Sequence, residues 1–409
     1  MIAYHFPPLA GSSGIQRTLR FVQQLPSFGW EALVLTATPN AYGRTSADLD
    51  AEVPPGTIVR RAFALDAARH LSIAGRYIAA TTRPDRFASW RYLAVPQGMR
   101  LIREFAPTVI WSTHPIPTAH TIAERIQRRS GLPWVADFRD PMAQDGYPAD
   151  PRTWAQFRDI EARALSSARF SVFTTRSAAR TYQVRYPEAA ARIKVIENGY
   201  DEPSFAAAET NVTGRAPLNP GCTTLLHSGI VYPQERDPTM LFVALQQLHQ
   251  ASPGDASRLK IRFRAPVQVD LLRSLSARHG VTQMIEILPP LPYLEALVEM
   301  LRADALLLLQ AANCNEQIPA KLYEYLRAGP PVVALTDPAG DTADALRRHG
   351  VNACARLDDA GEIRLLLERA LSNPGHEMQP ERQAVESASR EARARELARL
   401  LDEASQSAT

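Results

Sequence analysis

Residues 315–329, Asn-Glu-Gln-Ile-Pro-Ala-Lys-Leu-Tyr-Glu-Tyr-Leu-Arg-Ala-Gly, gather the side chains best suited to chemistry. They follow an apolar run at 304–309 that reads as a buried strand. Their spacing predicts a helix over 319–328 with Pro319 near its first turn, where no amide donor is needed. A helix that starts where a parallel strand ends turns its positive pole toward the carboxyl edge of the sheet. Open α/β folds bind nucleotides and phosphates at that edge. Lys321 adds a cation to the pole, and Glu316 and Glu324 add two carboxylates. A Lys beside a helix start can hold a diphosphate, and a carboxylate can accept both hydroxyls of a ribose. Diphosphate, ribose and sugar together describe a nucleoside diphosphate sugar. The competing reading is an amphipathic helix whose Glu and Lys are solvated surface charges.

Four further clusters sit where strands give way to helices. In residues 4–17, Gly11 and Gly14 would let backbone amides approach a phosphate or sugar closely. The glycines are too far apart for a dinucleotide-binding turn. His114 follows an apolar strand and could donate to a sugar hydroxyl or a developing charge, or be a satisfied structural residue. In 133–141, Asp137 could orient an acceptor hydroxyl and Arg139 could hold an anion; the alternative is an Arg–Asp pair that pins the loop. In 226–238, Gly229 follows a strand and Arg236 precedes a helix, an arrangement suited to a donor diphosphate. His5 and His227 also follow strands, with weaker claims. Asn198-Gly199 reads as a tight turn at a crossing between domains.

These clusters need a scaffold, and the 409-residue chain is too long for one ordinary core. Strand patterns at 31–36, 57–63, 108–112, 134–137, 170–174 and 193–197 alternate with helical ones at 14–28, 92–105, 118–130, 154–168 and 177–186. Pro96 should kink or shorten the second helix. After a Pro- and Gly-bearing stretch at 204–222 the alternation restarts, with strands at 223–227, 260–264, 284–287, 305–309 and 331–335. The expected fold class is therefore α/β, with two Rossmann-like, doubly wound parallel-sheet domains facing across a cleft. The expected domains are 1–203, a linker 204–222, a nucleotide-sugar domain 223–378, and a C-terminal helix and tail over 379–409. Only about three residues precede the first loop, so the first strand reads as clipped.

Residues 1–200 carry 25 Lys and Arg against 16 Asp and Glu, a balance of +9; the remainder, 21 against 27, carries −6. A basic first half suits anionic partners such as lipid headgroups or lipid diphosphates, or is simply an Arg-rich solvated surface. Only Lys194, Lys260 and Lys321 are lysines. Three scattered cysteines make neither a disulfide framework nor a zinc pattern, which fits a reducing cytoplasm. No run reaches the roughly 18 apolar residues of a membrane span, and no signal core is present.

The chain resembles the group 1 (family 4) retaining glycosyltransferases of GT-B fold. The resemblance lies in Pro319-x-Lys321-x-Tyr323-Glu324-Tyr325-Leu326 with Gly329 and Pro331 behind it. It also lies in Tyr4-x-Phe6-Pro7-Pro8 with Gly11, Gly14 and Arg17, in Trp134-x-x-Asp137-x-Arg139-Asp140, and in Asn198-Gly199-x-Asp201. It implies transfer of a sugar from a nucleoside diphosphate sugar to an acceptor hydroxyl, with retention and without a metal or other cofactor. Glu324 would bind the donor's ribose, Glu316 its sugar, and Lys321 and Arg236 its diphosphate, near Gly229. Gly11, Gly14, Arg17 and Arg139, with His114 and Asp137, would serve the acceptor side. The acceptor would be a glycan or lipid-linked hydroxyl, met in the cytoplasm or at the inner face of the membrane, in cell-envelope synthesis and without nucleic acid. The chain departs from the family at Ile230, Ala265 and Pro330, where a basic residue, Gly and a polar residue are usual. Two rival readings stand beside transfer: a nucleotide-sugar epimerase on the same fold, and a binding protein on a decayed scaffold.

Overall fold

A computed structural model describes residues 1–12, 14–72, 82–212, 216–372 and 375–406. The chain divides into two compact units, residues 1–197 with 391–409, and residues 198–390. Ser13, in the glycine-bearing loop, and residues 213–215, in the expected linker, lie outside the described residues, as do 407–409 of the expected tail.

In the first unit, β1 (Leu33–Ala37) pairs in parallel with β2 (Ile58–Ala62). A second parallel run contains β3 (Ile110–Thr113), β4 (Trp134–Arg139), β5 (Phe170–Phe173) and β6 (Ile193–Val195), in that order. Ile2 bridges to both Leu35 and Ser112, so the short segment at the chain start lies between β1 and β3 and joins the two runs. The strand direction reverses its order of winding at this segment, which places a crevice at the carboxyl ends of its neighbours. All four residues of β3 and of β5 are buried, as strands covered by helices on both faces must be.

The second unit holds β7 (Thr223–Ser228), β8 (Leu259–Arg264), β9 (Ile285–Leu288), β10 (Ala305–Leu309), β11 (Val332–Leu335) and β12 (Cys354–Ala355). Their order is β12-β11-β10-β7-β8-β9, all parallel. That is the doubly wound dinucleotide-fold order, with its switch point between β7 and β10.

Three segments differ from the sequence expectation. The first part of the expected linker, 204–210, instead belongs to a helix, Glu202–Thr210. Asp201 accepts from the Ser204 amide at its start (3.2 Å), and Phe205 and Ala208 are buried in the core of the second unit. The expected C-terminal helix is two helices. Arg382–Glu386 belongs to the second unit, whereas Arg390–Gln406 packs Leu397 and Leu401 with Phe21 and Trp111 of the first. The break falls where Ser389 bridges to Tyr200. Gly199 is needed at that crossing, because a Cβ there would stand 2.5 Å from the Ala388 carbonyl oxygen. Finally, the helix Trp90–Phe105 runs through Pro96 without being shortened. No helix among the described residues is long and apolar enough to cross a membrane.

Candidate functional site

In the second unit, the helix Lys321–Ala328 starts two residues later than its spacing predicts. The Pro319 carbonyl accepts from the Leu322 amide (2.9 Å), so Pro319 sits in the turn that leads into the helix. The buried Tyr325 on this helix reaches back and its hydroxyl accepts from the Ser228 amide at 2.8 Å, fixing the loop after β7. There Gly229 has φ of +113°, and a Cβ on it would lie 3.1 Å from Lys321 Nζ. Glycine is thus required twice, by the backbone conformation and by the approach of the ammonium.

Lys321 Nζ lies 3.1 Å from His227 Nε2. His227 Nδ1 is 3.0 Å from the Leu307 carbonyl oxygen, which can only accept, so Nδ1 carries the proton and Nε2 is free to accept from Lys321. Burial first, and the Lys321 charge second, hold the His227 imidazole well below its usual range, so it is neutral. Burial also lowers Lys321 well below the usual ammonium range, with the Arg236 charge adding to the effect and Glu324 opposing it. Arg236 spends one nitrogen on the Ile230 carbonyl (2.9 Å) and lies over the Tyr232 ring at 5.0 Å. Its Nε is buried without a partner. Glu324 accepts from the Tyr293 hydroxyl at 2.9 Å, and burial raises its carboxyl above the ordinary value. Glu316 is half-buried in the turn before the helix. The structure therefore brings Gly229, Arg236, Lys321 and Glu324 to the crevice between β7 and β10. It adds His227, which the sequence offered only as a residue after a strand, and Tyr293, for which the sequence gave no signal.

In the first unit, Asp137 is buried and both of its oxygens are taken by Arg17, Nε at 2.9 Å and Nη2 at 2.9 Å. Thr113 donates to it as well, at 2.9 Å. Arg17 also reaches the carbonyls of Ile196 (3.0 Å) and Glu197 (3.1 Å). Asp137 has no oxygen facing a ligand, which corrects the expectation that it orients an acceptor hydroxyl. Arg17 is likewise a brace rather than a phosphate contact. An Arg–Asp pair does pin the loop, but its arginine is Arg17, not Arg139.

Arg139 ends β4 at a register shift, with φ of +64°. Its guanidinium and His5 Nδ1 converge on Gly14, where a Cβ would stand 2.7 Å from Arg139 Nη1 and 2.6 Å from the imidazole. His5 Nδ1 is 3.0 Å from the Ser12 hydroxyl, and burial lowers this imidazole to about 4. His114 is buried, and burial first, with the charges of His120 and Arg139 after it, lowers its imidazole well below its usual range. Gly11 has φ of +83°, which its turn requires, but it is exposed and faces Arg44 rather than the histidines. No group of three or more His, Cys, Asp or Glu among the described residues is placed to hold a metal ion.

Residues 13–199, the bulk of the first unit, match the family described as glycosyl transferase 4-like domain. Solved structures match along the whole chain. HepE from Anabaena in complex with UDP-glucose has a TM-score of 0.65 at 14% identity, over 98% of this chain and 99% of that one. The trehalose 6-phosphate synthase of Burkholderia multivorans has 0.68 at 13%, over 100% and 96%. The sucrose-phosphate synthase of Thermosynechococcus elongatus has 0.67 at 13%, over 98% of each chain. No curated protein sequence matches. The fold is GT-B, the fold these structures share, and residues 13–199 are similar to the glycosyl transferase 4-like domain.

Proposed function

We propose that the chain is a glycosyltransferase that moves a sugar from a nucleoside diphosphate sugar to an acceptor hydroxyl. One observation carries the reading. Lys321 and Arg236, both half-buried, meet at the switch point of the second unit, without a carboxylate in ion-pair contact among the described residues, beside the acid Glu324. Two cations that repel each other are stabilised by a diphosphate dianion, and that stabilisation grows as negative charge develops on the leaving group. The glycosyl transferase 4-like match and the UDP-glucose bound to a protein of the same fold support the same chemistry.

In this proposal Lys321 and Arg236 take the diphosphate, His227 aims the ammonium, Glu324 accepts the ribose hydroxyls and Glu316 contacts the sugar. The bond from the sugar's anomeric carbon to the diphosphate breaks and one to the acceptor oxygen forms. The acceptor's proton passes to the departing phosphate, with retention, as in the enzymes the sequence resembles. The two cations do the neutralising that a metal would otherwise do. The acceptor lies on the first unit, near His114 and Arg139. A glycan or lipid-linked acceptor, and contact with a membrane surface, fit the +9 balance of residues 1–200.

Glu324→Ala tests the donor site. It should lose most affinity for UDP, GDP or ADP, whichever raises the melting temperature of the native chain, while its own unliganded melting curve stays cooperative. Full transfer activity in that variant would overturn the assignment. Donor breakdown without transfer would favour the epimerase, and no shift with any nucleotide would favour the non-catalytic scaffold.

A further inference from the structure

We infer that the turn after β11, residues 337–342, positions the sugar end of the donor site, with Asp337, Gly340 and Thr342 acting through Asn315 and Gln317 on Glu316. The sugar contact of Glu316 rests on the reading above; the ties that hold its neighbours are geometry. Glu316 lies in the stretch between β10 and the helix Lys321–Ala328, where Ala312–Cys314 form a short helical turn. Asn315, Glu316 and Gln317 are polar and half-buried, so apolar packing does little to fix them. Hydrogen bonds from the next loop do so instead. The Asn315 carbonyl accepts from the Asp341 amide at 2.9 Å, and the Gln317 carbonyl accepts from the Thr342 hydroxyl at 3.0 Å. The residues on either side of Glu316 are thus tied to one neighbouring turn. Asp341 opens the helix Asp341–Arg348, and its amide is one of the first-turn donors that a helix leaves without an internal acceptor.

Two more observations mark this contact as a built one. Gly340 has φ of −82°, which any residue adopts, so glycine is needed there for close approach alone. A Cβ on it would stand 2.6 Å from Asn315 Oδ1 and 3.0 Å from Asn315 Cγ. Asn315 Nδ2 donates to Asp337 at 2.6 Å, while Oδ1 is buried without a partner among the described residues. A buried acceptor left in that state costs about 1–3 kcal/mol. A cost of that kind, kept in a loop at the carboxyl edge of the sheet, is what a positioning role explains. The groups assigned to the nucleotide are anchored elsewhere: Arg236 to the Ile230 carbonyl, Lys321 to His227 and Glu324 to Tyr293. Sugar and nucleotide are therefore served by separately held elements.

The two can be measured apart in the full chain. Calorimetry gives the affinity for whichever of UDP, GDP or ADP the native chain binds, and release of that nucleotide from its hexose conjugates gives the sugar-dependent step. Gly340→Ala pushes Asn315 off its contact. It should slow release roughly tenfold or more, with affinity for the bare nucleotide held within about twofold. Thr342→Val keeps the shape of the side chain and removes only the hydroxyl, and should slow release about fivefold. Asn315→Ala takes away the group that Gly340→Ala displaces, so the double variant should release no more slowly than Asn315→Ala alone. Native release rates in both Gly340→Ala and Thr342→Val would overturn the positioning role, as would a bare-nucleotide affinity that falls as far as release does. A native chain that binds a nucleotide but releases none from any hexose conjugate would also overturn it. A native chain that binds no nucleotide would instead bring down the donor reading on which the role of Glu316 rests.

Discussion

The two units build their crevices by one plan and load them differently. Each has a glycine whose missing Cβ admits a cation, Gly14 for Arg139 at 2.7 Å and Gly229 for Lys321 at 3.1 Å. Each holds neutral imidazole beside that cation, His5 and His114 in one unit and His227 in the other. The difference lies in the acids. In the first unit the adjacent acid, Asp137, is held by Arg17 and Thr113, and no carboxylate among the described residues is in ion-pair contact with Arg139. In the second unit Glu324 sits by the cations and gives up one oxygen to Tyr293. The first crevice therefore presents a cation beside neutral imidazoles, without an acid of its own in ion-pair contact. The second is equipped for an anion joined to hydroxyls, as in a nucleoside diphosphate. Charges that are paired inside the protein hold its loops, and charges left unpaired mark where a ligand belongs.

The sharpest way to break this contrast is to remove Arg17 and Arg139 of the first unit in turn. Arg17→Ala leaves the buried Asp137 uncompensated and frees the carbonyls of Ile196 and Glu197. It should cost about 3–5 kcal/mol in urea unfolding. Arg139→Ala removes a charge with no carboxylate in ion-pair contact among the described residues, and should leave the midpoint unchanged or raise it. Equal losses in the two variants would erase the distinction between bracing and binding.

A smaller effect separates the second crevice from a passive one. Burial and the Arg236 charge depress Lys321 in the empty site. A diphosphate restores the charged form, so the ammonium titrates at higher pH in the complex than in the free protein. Nucleotide binding then takes up a proton. Affinity should be full below the free-protein value of Lys321. It should fall by about tenfold per pH unit as pH rises from that value toward the value in the complex. Calorimetry in two buffers of different ionisation heat measures the uptake. The charged and titratable groups that set it are Arg236, His227 and Glu324. Binding enthalpies that do not depend on the buffer would show Lys321 already charged before the ligand arrives.

Much of this was legible in the chain, and what was not depended on topology. Alternating strand and helix patterns gave the two sheets, and the helix start with Lys321 and Glu324 was visible because strand, turn and helix are contiguous there. The Ala at 265 stood out as a departure from glycine, and the structure shows why glycine is usual: Ala265 has φ of +52°, which glycine adopts without strain. The partner of Asp137 was out of reach, since Arg17 lies 120 residues away in the sequence. Asp137-x-Arg139 looked self-paired only because the two are neighbours along the chain. Residues 204–210 were read as linker because they open the Pro- and Gly-bearing stretch 204–222. Asp201 ahead of Glu202-Pro203 was the capping signal that could have corrected this.

The finest distinction rests on a single hydroxyl. Tyr293 is 44% exposed and carries little of the core, yet its Oη donates to Glu324 Oε1 at 2.9 Å. That bond steadies the carboxylate and opposes the upward push of burial on its protonation. A ribose needs Glu324 charged and oriented to accept two hydroxyls at once. Tyr293→Phe should leave the melting temperature within a degree or two, because the ring remains. It should weaken nucleotide binding by about 1 kcal/mol, roughly fivefold. It should also move the acid limb of the binding profile to higher pH, as Glu324 loses the donor that favours its ionised form. A matched loss for the nucleotide and for inorganic pyrophosphate would place the effect on the diphosphate instead of the ribose, and the division of labour between Glu324 and Lys321 would then fail.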